Sequence, residues 1–356
     1  MGGSVDQART LRDEDAFDVA KVDAFLKEHI EGVQGAPTVR QFPGGASNLT
    51  YLLSYPDREL VLRRPPQGAK AKSAHDMLRE AHIMSALKPH YPYVPTIVAT
   101  CEDESVIGQH FFVMERLRGI ILRSDMPADL QLTPDSVRIL CTGFVDRLIE
   151  LHNVDTASPD LQSIGRGEGY IERQVSGWSE RWHQASTEGT DACEDVLAWL
   201  AQKQPARDNA ACVIHNDFRF DNVVLDPQQP VHITGVLDWE LATIGDPLMD
   251  LGSSLAYWVQ ADDDATFQSF RRQPSNAPGM LSRREVIEYY GQRTGRSIDN
   301  VDFYEVFGLF RLMVIIQQIY RRFVLGQTTN PQFAGFGHAV RYMGNRCRNI
   351  IARSVL

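Results

Sequence analysis

The chain is short of paired cysteines, of basic charge and of uninterrupted apolar runs, and each shortage narrows its chemistry. Its five cysteines (Cys101, Cys141, Cys193, Cys212, Cys347) are scattered through 356 residues, odd in number and without a C-x-x-C pair. That pattern argues against a disulfide frame or a cysteine zinc site and fits reduced thiols in a cytoplasmic protein. Lys and Arg total 36 against 46 Asp and Glu, a formal charge of −10. A nucleic-acid partner is therefore not expected, because such binding draws its energy from cations paired with phosphates. The most apolar stretch, Phe303 to Phe323, is broken by Glu305, Arg311, Gln317 and Gln318, so it reads as a buried helix and no membrane partner is expected. Met1 to Asp18 carries five acidic residues and no apolar signal core. There is no G-x-x-x-x-G-K-[ST], which argues against a P-loop.

What is present divides the chain in two. Residues 1–18 read as a mobile lead-in. Residues 19–118 read as a β-rich lobe: a helix over 19–32, strands at Val39–Phe42, Thr50–Tyr55 and Leu60–Arg63, a helix over Ala74–Leu87, then strands at Val94–Cys101 and His110–Arg116. Residues 119–356 turn mainly helical, with Thr133-Pro134-Asp135 as an N-cap and first turn. Two short β-like runs, Cys212–Ile214 and His232–Leu237, flank a polar loop.

That loop carries the strongest chemical signal. His215-Asn216-Asp217-Phe218-Arg219-Phe220-Asp221-Asn222 fits H-x-D-x-x-x-x-N, and Val236-Leu237-Asp238-Trp239-Glu240 places a second acid after the next apolar run. Phosphoryl transfer from a nucleotide uses this set: one carboxylate to take the acceptor's proton, an Asn and another carboxylate for Mg2+. Asp217 is the candidate catalytic residue, and Asn222 and Asp238 are the candidate metal ligands. Asp221 and Asp226 read as turn residues, His215 as a support for the loop backbone, and Asp246 and Asp250 as braces.

These residues, together with Leu237-Asp238-Trp239-Glu240-Leu241-Ala242-Thr243-Ile244-Gly245-Asp246-Pro247 and Gly169-Tyr170-Ile171-Glu172-Arg173-Gln174, resemble the aminoglycoside phosphotransferase/choline kinase group of small-molecule kinases. The likeness is closest to the branch fused to acyl-CoA dehydrogenases. It implies an α+β, bilobal protein-kinase-like fold with a small β-rich N-lobe and a larger, mainly helical C-lobe. It also implies ATP and Mg2+ as cofactors and a hydroxyl on a small molecule as acceptor, with hydroxyacyl compounds suggested by the dehydrogenase link.

The same template assigns the nucleotide grip. Arg63 stands where a strand Lys is usual; its fork can bind phosphate but is not equivalent to Lys. Glu80 is its expected helix partner, and Glu115 in Met114-Glu115-Arg116 marks the hinge. The loop with Gly44, Gly45 and Ser47 is either a phosphate loop or a plain hairpin turn. On the helix at 170–185, Tyr170, Arg173, Gln174, Trp178, Arg181 and Trp182 recur on one face. That face is either a binding surface for an amphipathic or anionic substrate or a packing surface with extended Arg stems. Arg219 is a further substrate candidate. A nucleotide-binding pseudokinase acting as regulator or scaffold is the alternative, supported by the missing Lys. Protein-directed kinase activity is disfavoured because no long activation segment separates Asp238 from Gly245-Asp246-Pro247. The sequence leaves the oligomeric state and the choice of ATP over GTP open.

Overall fold

The computed structural model describes residues 5–43, 48–66 and 76–356. The small lobe opens with helix α1 (Val19–His29) and holds five strands: β1 (Thr38–Gln41), β2 (Leu49–Ser54), β3 (Glu59–Arg64), β4 (Ile97–Cys101) and β5 (Phe111–Glu115). They form an antiparallel sheet in the order β1-β2-β3-β5-β4, with helix α2 (Met77–Leu87) between β3 and β4 and the short α3 (Glu104–Ile107) before β5. The two-residue period of β3 decides which arginine serves the cleft. Leu60, Leu62 and Arg64 face α1, where Leu60 and Leu62 join an apolar cluster with Val22 and Leu26. Val61 and Arg63 face the opposite side and line a cavity. Arg64 instead donates to the Asp15 carbonyl (2.7 Å) and the Tyr51 hydroxyl (3.1 Å).

The lead-in is attached rather than loose, which corrects the sequence expectation for its described part. Val5 bridges Ile120, Arg9 pairs with Gln41 through two backbone bonds (2.7 and 2.9 Å), and Asp15 accepts from Gln41. Its backbone pairs with the edge strand at Gln41, whose side chain also binds Asp15 and the Arg12 amide, interactions that hydrophobic periodicity does not register.

The large lobe begins with α4 (Pro134–His152), whose N-cap Thr133 accepts from the Ser136 amide as the sequence suggests. Then come α5 (Pro159–Ser163), α6 (Tyr170–Ala185) and α7 (Glu194–Lys203). Four three- or four-residue strands follow: β6 (Cys212–Ile214), β7 (Val223–Leu225), β8 (Ile233–Val236) and β9 (Thr243–Gly245), paired β6 with β9 and β7 with β8. The chain ends in α8 (Pro247–Leu255), α9 (Ala265–Ser269), α10 (Arg283–Thr294), α11 (Val301–Val324) and α12 (Phe336–Arg353). Because Ile214 pairs with Thr243 and Val223 with Val236, the polar loop of residues 215–222 and the Asp238 turn run side by side between the two ribbons, so that both reach the same cleft.

Helix α11 is long and apolar enough to span a membrane by composition. It is nonetheless packed inside the lobe among α6, α8 and α12, with Arg311 and Gln317 buried. Its approach to α8 is set by glycine. A Cβ on Gly308 would collide with the Gly252 carbonyl, and one on Gly252 with the Tyr304 carbonyl. Gly308→Ala should therefore destabilise the protein by about 1–3 kcal/mol, read from denaturant midpoints; an unchanged midpoint would show that the two helices can separate freely.

Candidate active site

Asp250, fully buried on α8, builds the loop that carries Asp217. Its carboxylate accepts the amides of His215 and Asn216 (both 2.7 Å) and His152 Nε2 (3.1 Å). Burial alone would raise its pKa, but the hydrogen bond from His152 and the charges around it hold it below the usual carboxylate range. His215 keeps the supporting role expected of it. Its Nδ1 accepts the Asp217 amide (3.2 Å) and its Nε2 meets the Leu237 carbonyl (2.9 Å), so it fastens the two acidic turns together. That pairing requires the tautomer protonated on Nε2. Asn216 and Asp238 adopt left-handed backbone (φ 66° and 68°), a conformation that short polar residues tolerate and that clusters at functional sites.

Asp217 is held from two sides. Arg219 reaches its two oxygens (Nε 3.1 Å, Nη2 3.2 Å), and Asn222 donates to it from Nδ2 (3.0 Å) and to its backbone carbonyl (2.8 Å). Arg219 also meets Asp221 (3.3 Å) and stacks over the Tyr257 ring at 4.5 Å. It therefore orients Asp217 from within the loop, a different place from the substrate contact expected of it. Asp221 is more than a turn residue: burial raises its pKa, and Arg219 counters that effect. Asp226 is the turn residue expected, accepting the amides of Gln228 and Gln229.

Across the cleft, Arg63 joins both lobes. Its Nε stands 3.1 Å from Glu80, and its Nη2 reaches Asp238 and, at 3.1 Å, Glu240. The Arg63–Glu80 pair expected from the sequence is thus formed, and Glu80 is only 2% exposed. One cation faces three carboxylates. Burial would lower the Arg63 pKa, but Glu80, Asp238 and Glu240 together raise it. Burial would raise that of Asp238, but Arg63 holds it down. Glu80 is pushed up to about 8, first by burial and then by its acidic neighbours, against the pull of Arg63.

A cavity of ≈ 160 Å³ brings together Arg63, Glu80, Glu115, Asn222 and Asp238. At the hinge, the Glu115 amide is already given to the Thr96 carbonyl (2.9 Å). The Leu117 amide, on the same cavity, donates to no backbone carbonyl among the described residues, so it rather than Glu115 is open to a ligand there. Gly44, Gly45 and Ser47 lie outside the described residues. A second cavity, ≈ 600 Å³, is lined by Tyr170, Arg173, Gln174 and Trp178 with Asn216 and Glu240. The aromatic and basic face of α6 therefore borders a cavity, except for Arg181, which is exposed, and Trp182, which is buried with Nε1 on the Ala192 carbonyl. Sequence reasoning missed Glu240, Asn48, which donates to it at 2.6 Å, and Arg79, which binds the carbonyls of Glu240, Ala242 and Ile164. Only the acid two residues after Asp238 offered a signal.

Residues 38–286 match the profile described as the phosphotransferase enzyme family. The chain belongs to that family. A solved Ralstonia eutropha protein assigned as an aminoglycoside phosphotransferase is 30% identical and superposes with a TM-score of 0.81, over 96% of this chain and all of the other. A choline kinase from Cryptosporidium parvum shares the fold at 13% identity and TM-score 0.65, covering 95% and 98% of the two chains. Among curated relatives, acyl-CoA dehydrogenase family member 10 of Mus musculus is 35% identical over 86% of this chain and 29% of its own length. Member 11 of Homo sapiens is 32% identical over 91% and 42%. The chain thus spans less than half of these relatives. The family's bilobal, kinase-like fold is the one expected from the sequence.

The carboxylate excess around Arg63 has a measurable consequence. Because the folded pKa of Glu80 lies above its ordinary 4.5, its contribution to stability is complete below pH 4.5 and is lost as pH rises through about 8. Glu80→Gln should flatten the fall of the thermal midpoint across that window; an equal slope in both proteins would contradict the raised pKa of Glu80.

Proposed function

We propose that this phosphotransferase is an ATP- and Mg2+-dependent kinase that phosphorylates a hydroxyl of a small molecule. The observation that carries the proposal is the convergence of the Asp217–Asn222 loop, Asp238 and the Arg63–Glu80 pair on one cleft. Asp217 takes the proton of the acceptor hydroxyl, while Arg219 and Asn222 fix the direction of its carboxylate. Arg63 can serve either Asp238 or a phosphate, because its planar fork offers several donors.

The residues present fit Mg2+. Asn222 spends its amide nitrogen on Asp217, which leaves its oxygen as a ligand, and Asp238 adds a carboxylate on the same cavity. Among the described residues no cluster of three acidic, His or Cys side chains makes a complete cage. This suits a cation that keeps water and phosphate oxygens as its remaining ligands. The chemistry supplied by Mg2+ is charge neutralisation on the nucleotide phosphates. Support for the nucleotide also comes from a fold neighbour, an aminoglycoside phosphotransferase solved with AMP-PNP and hygromycin B (16% identity, TM-score 0.56).

For the acceptor, the names of the acyl-CoA dehydrogenase relatives favour a hydroxyacyl compound. A polycationic aminoglycoside is disfavoured, since four Arg and one Glu supply the charge around the larger cavity. The pseudokinase alternative rested on the missing strand Lys. Arg63 keeps the cation–Glu80 pair that a Lys would make, so that observation no longer favours it.

Asp217→Asn should lower turnover by roughly 10²–10⁴-fold while leaving calorimetric affinity for Mg-ATP nearly unchanged; turnover near the wild-type rate would remove Asp217 from its role. Asp238→Ala should weaken Mg-ATP binding on the order of tenfold or more, and an unaltered isotherm would contradict the metal assignment.

A further inference from the structure

Arg311 lies on α11, a helix apolar along most of its length, and is only 7% exposed. Among the described residues its guanidinium makes no hydrogen bond or ion pair. It stands over the Trp178 ring, whose centroid lies 5.4 Å away, and its charge is felt by the Tyr170 and Tyr257 hydroxyls. Arg181 stacks on the same ring at 4.8 Å. Yet Arg311 lines the ≈ 600 Å³ cavity together with Gln174, Tyr170 and Asn216. The other enclosed arginines there are committed: Arg79 to three carbonyls and Arg173 to the carbonyls of Gly167 and Glu168. The remaining one, Arg166, is exposed.

Keeping a cation in a protein interior without a counter-ion is costly, and such groups are ordinarily paired. The guanidinium also has five donors and no acceptor capacity, so only an oxygen-rich partner satisfies it. The cavity is of the size that takes a small organic molecule. The Tyr170 hydroxyl, close enough to Arg311 to feel its charge, donates to Asn216 Oδ1 (3.0 Å), and Asn216 directly precedes Asp217. A ligand anchored on Arg311 would therefore lie beside the loop of the candidate base.

We infer that Arg311 is the docking cation for an oxyanion on the phosphate acceptor, so that the acceptor is a hydroxy compound bearing a carboxylate or phosphate away from its reacting hydroxyl. Trp178 holds the guanidinium plane and Gln174 adds an amide beside it. This rests on the kinase reading and narrows its substrate class from hydroxyl compounds at large to anionic ones.

Isothermal titration calorimetry on the 356-residue chain tests it with short hydroxy acids, their neutral methyl esters and their CoA thioesters. Wild type should bind at least one anionic form roughly 10- to 100-fold more tightly than the ester. Arg311→Gln should lose that margin without weakening ester binding, and Arg311→Lys should keep part of it. The Gln variant should unfold at an equal or higher temperature, which a purely structural arginine would not allow. Arg311-dependent binding of the free acid identifies a carboxylate as the occupant; dependence confined to the thioester identifies the CoA phosphates. Equal binding of acid and ester by wild type, binding of none of the anions, or full retention by a folded Arg311→Gln overturns the inference. Should the Gln variant fail to fold, the acid-against-ester comparison in wild type decides alone. Calorimetry requires no turnover. Arg311-dependent binding without phosphate transfer would sink only the kinase reading, and transfer with Arg311-independent binding only this inference.

Discussion

The cleft depends on one guanidinium shared among three carboxylates. Arg63 leaves the central strand of the small lobe, meets Glu80 on α2, and crosses to Asp238 and Glu240 in the large lobe. In a half-enclosed site such a group holds two lobes in register only while its charges stay balanced, and three acids against one base leave a negative surplus. The raised pKa of Glu80 is the protein's own answer to that surplus, by keeping a proton where burial makes charge costly. A divalent cation held by Asn222 and Asp238, as proposed above, would be the other answer, arriving with a polyphosphate. The acidic balance of the whole chain therefore does not oppose an anionic nucleotide. Part of it is the equipment that draws the metal.

On the far side of Asn216 the sign reverses. The larger cavity is ringed by four arginines, two of which, Arg79 and Arg173, are occupied by backbone carbonyls rather than by acids. Carbonyls orient a guanidinium without cancelling its charge, so the cavity keeps a positive field inside a negative protein. Asp217 stands between the two, locked by Arg219 and Asn222, with its neighbours lining opposite cavities. Opposed electrostatics on the two sides of one carboxylate suit a reaction that brings together a metal-bound phosphate and an anionic alcohol.

Much of this was legible in the sequence where chemistry is local. The H-x-D-x-x-x-x-N spacing located the loop, and the resemblance put Arg63 at the place of the strand Lys, which the two-residue period of β3 bears out by turning Arg64 to the other face. Thr133-Pro134 marked the start of α4 for reasons of capping alone. What could not be read was contact across long separations. The pairing of Arg9 with Gln41, the service of Arg79 to carbonyls more than eighty residues away, and the commitment of Arg219 to its own loop all depend on tertiary placement. Arg311 was visible only as a blemish in an apolar run. Its meaning required knowing that, among the described residues, no carboxylate pairs with it.

The central claim is that a metal-binding acidic cleft and a basic acceptor cavity serve one phosphoryl transfer at Asp217. Its most direct test is to incubate the protein with ATP and Mg2+ and a panel of hydroxy acids, hydroxyacyl-CoA thioesters, choline-like alcohols and aminoglycosides, and to identify products by phosphorus NMR. The account predicts a phosphate ester on the hydroxyl of an anionic acceptor, formed only with Mg2+, and no product on the polycations. Transfer to aminoglycosides in preference to the anions, or no phosphate ester from any acceptor, would contradict it.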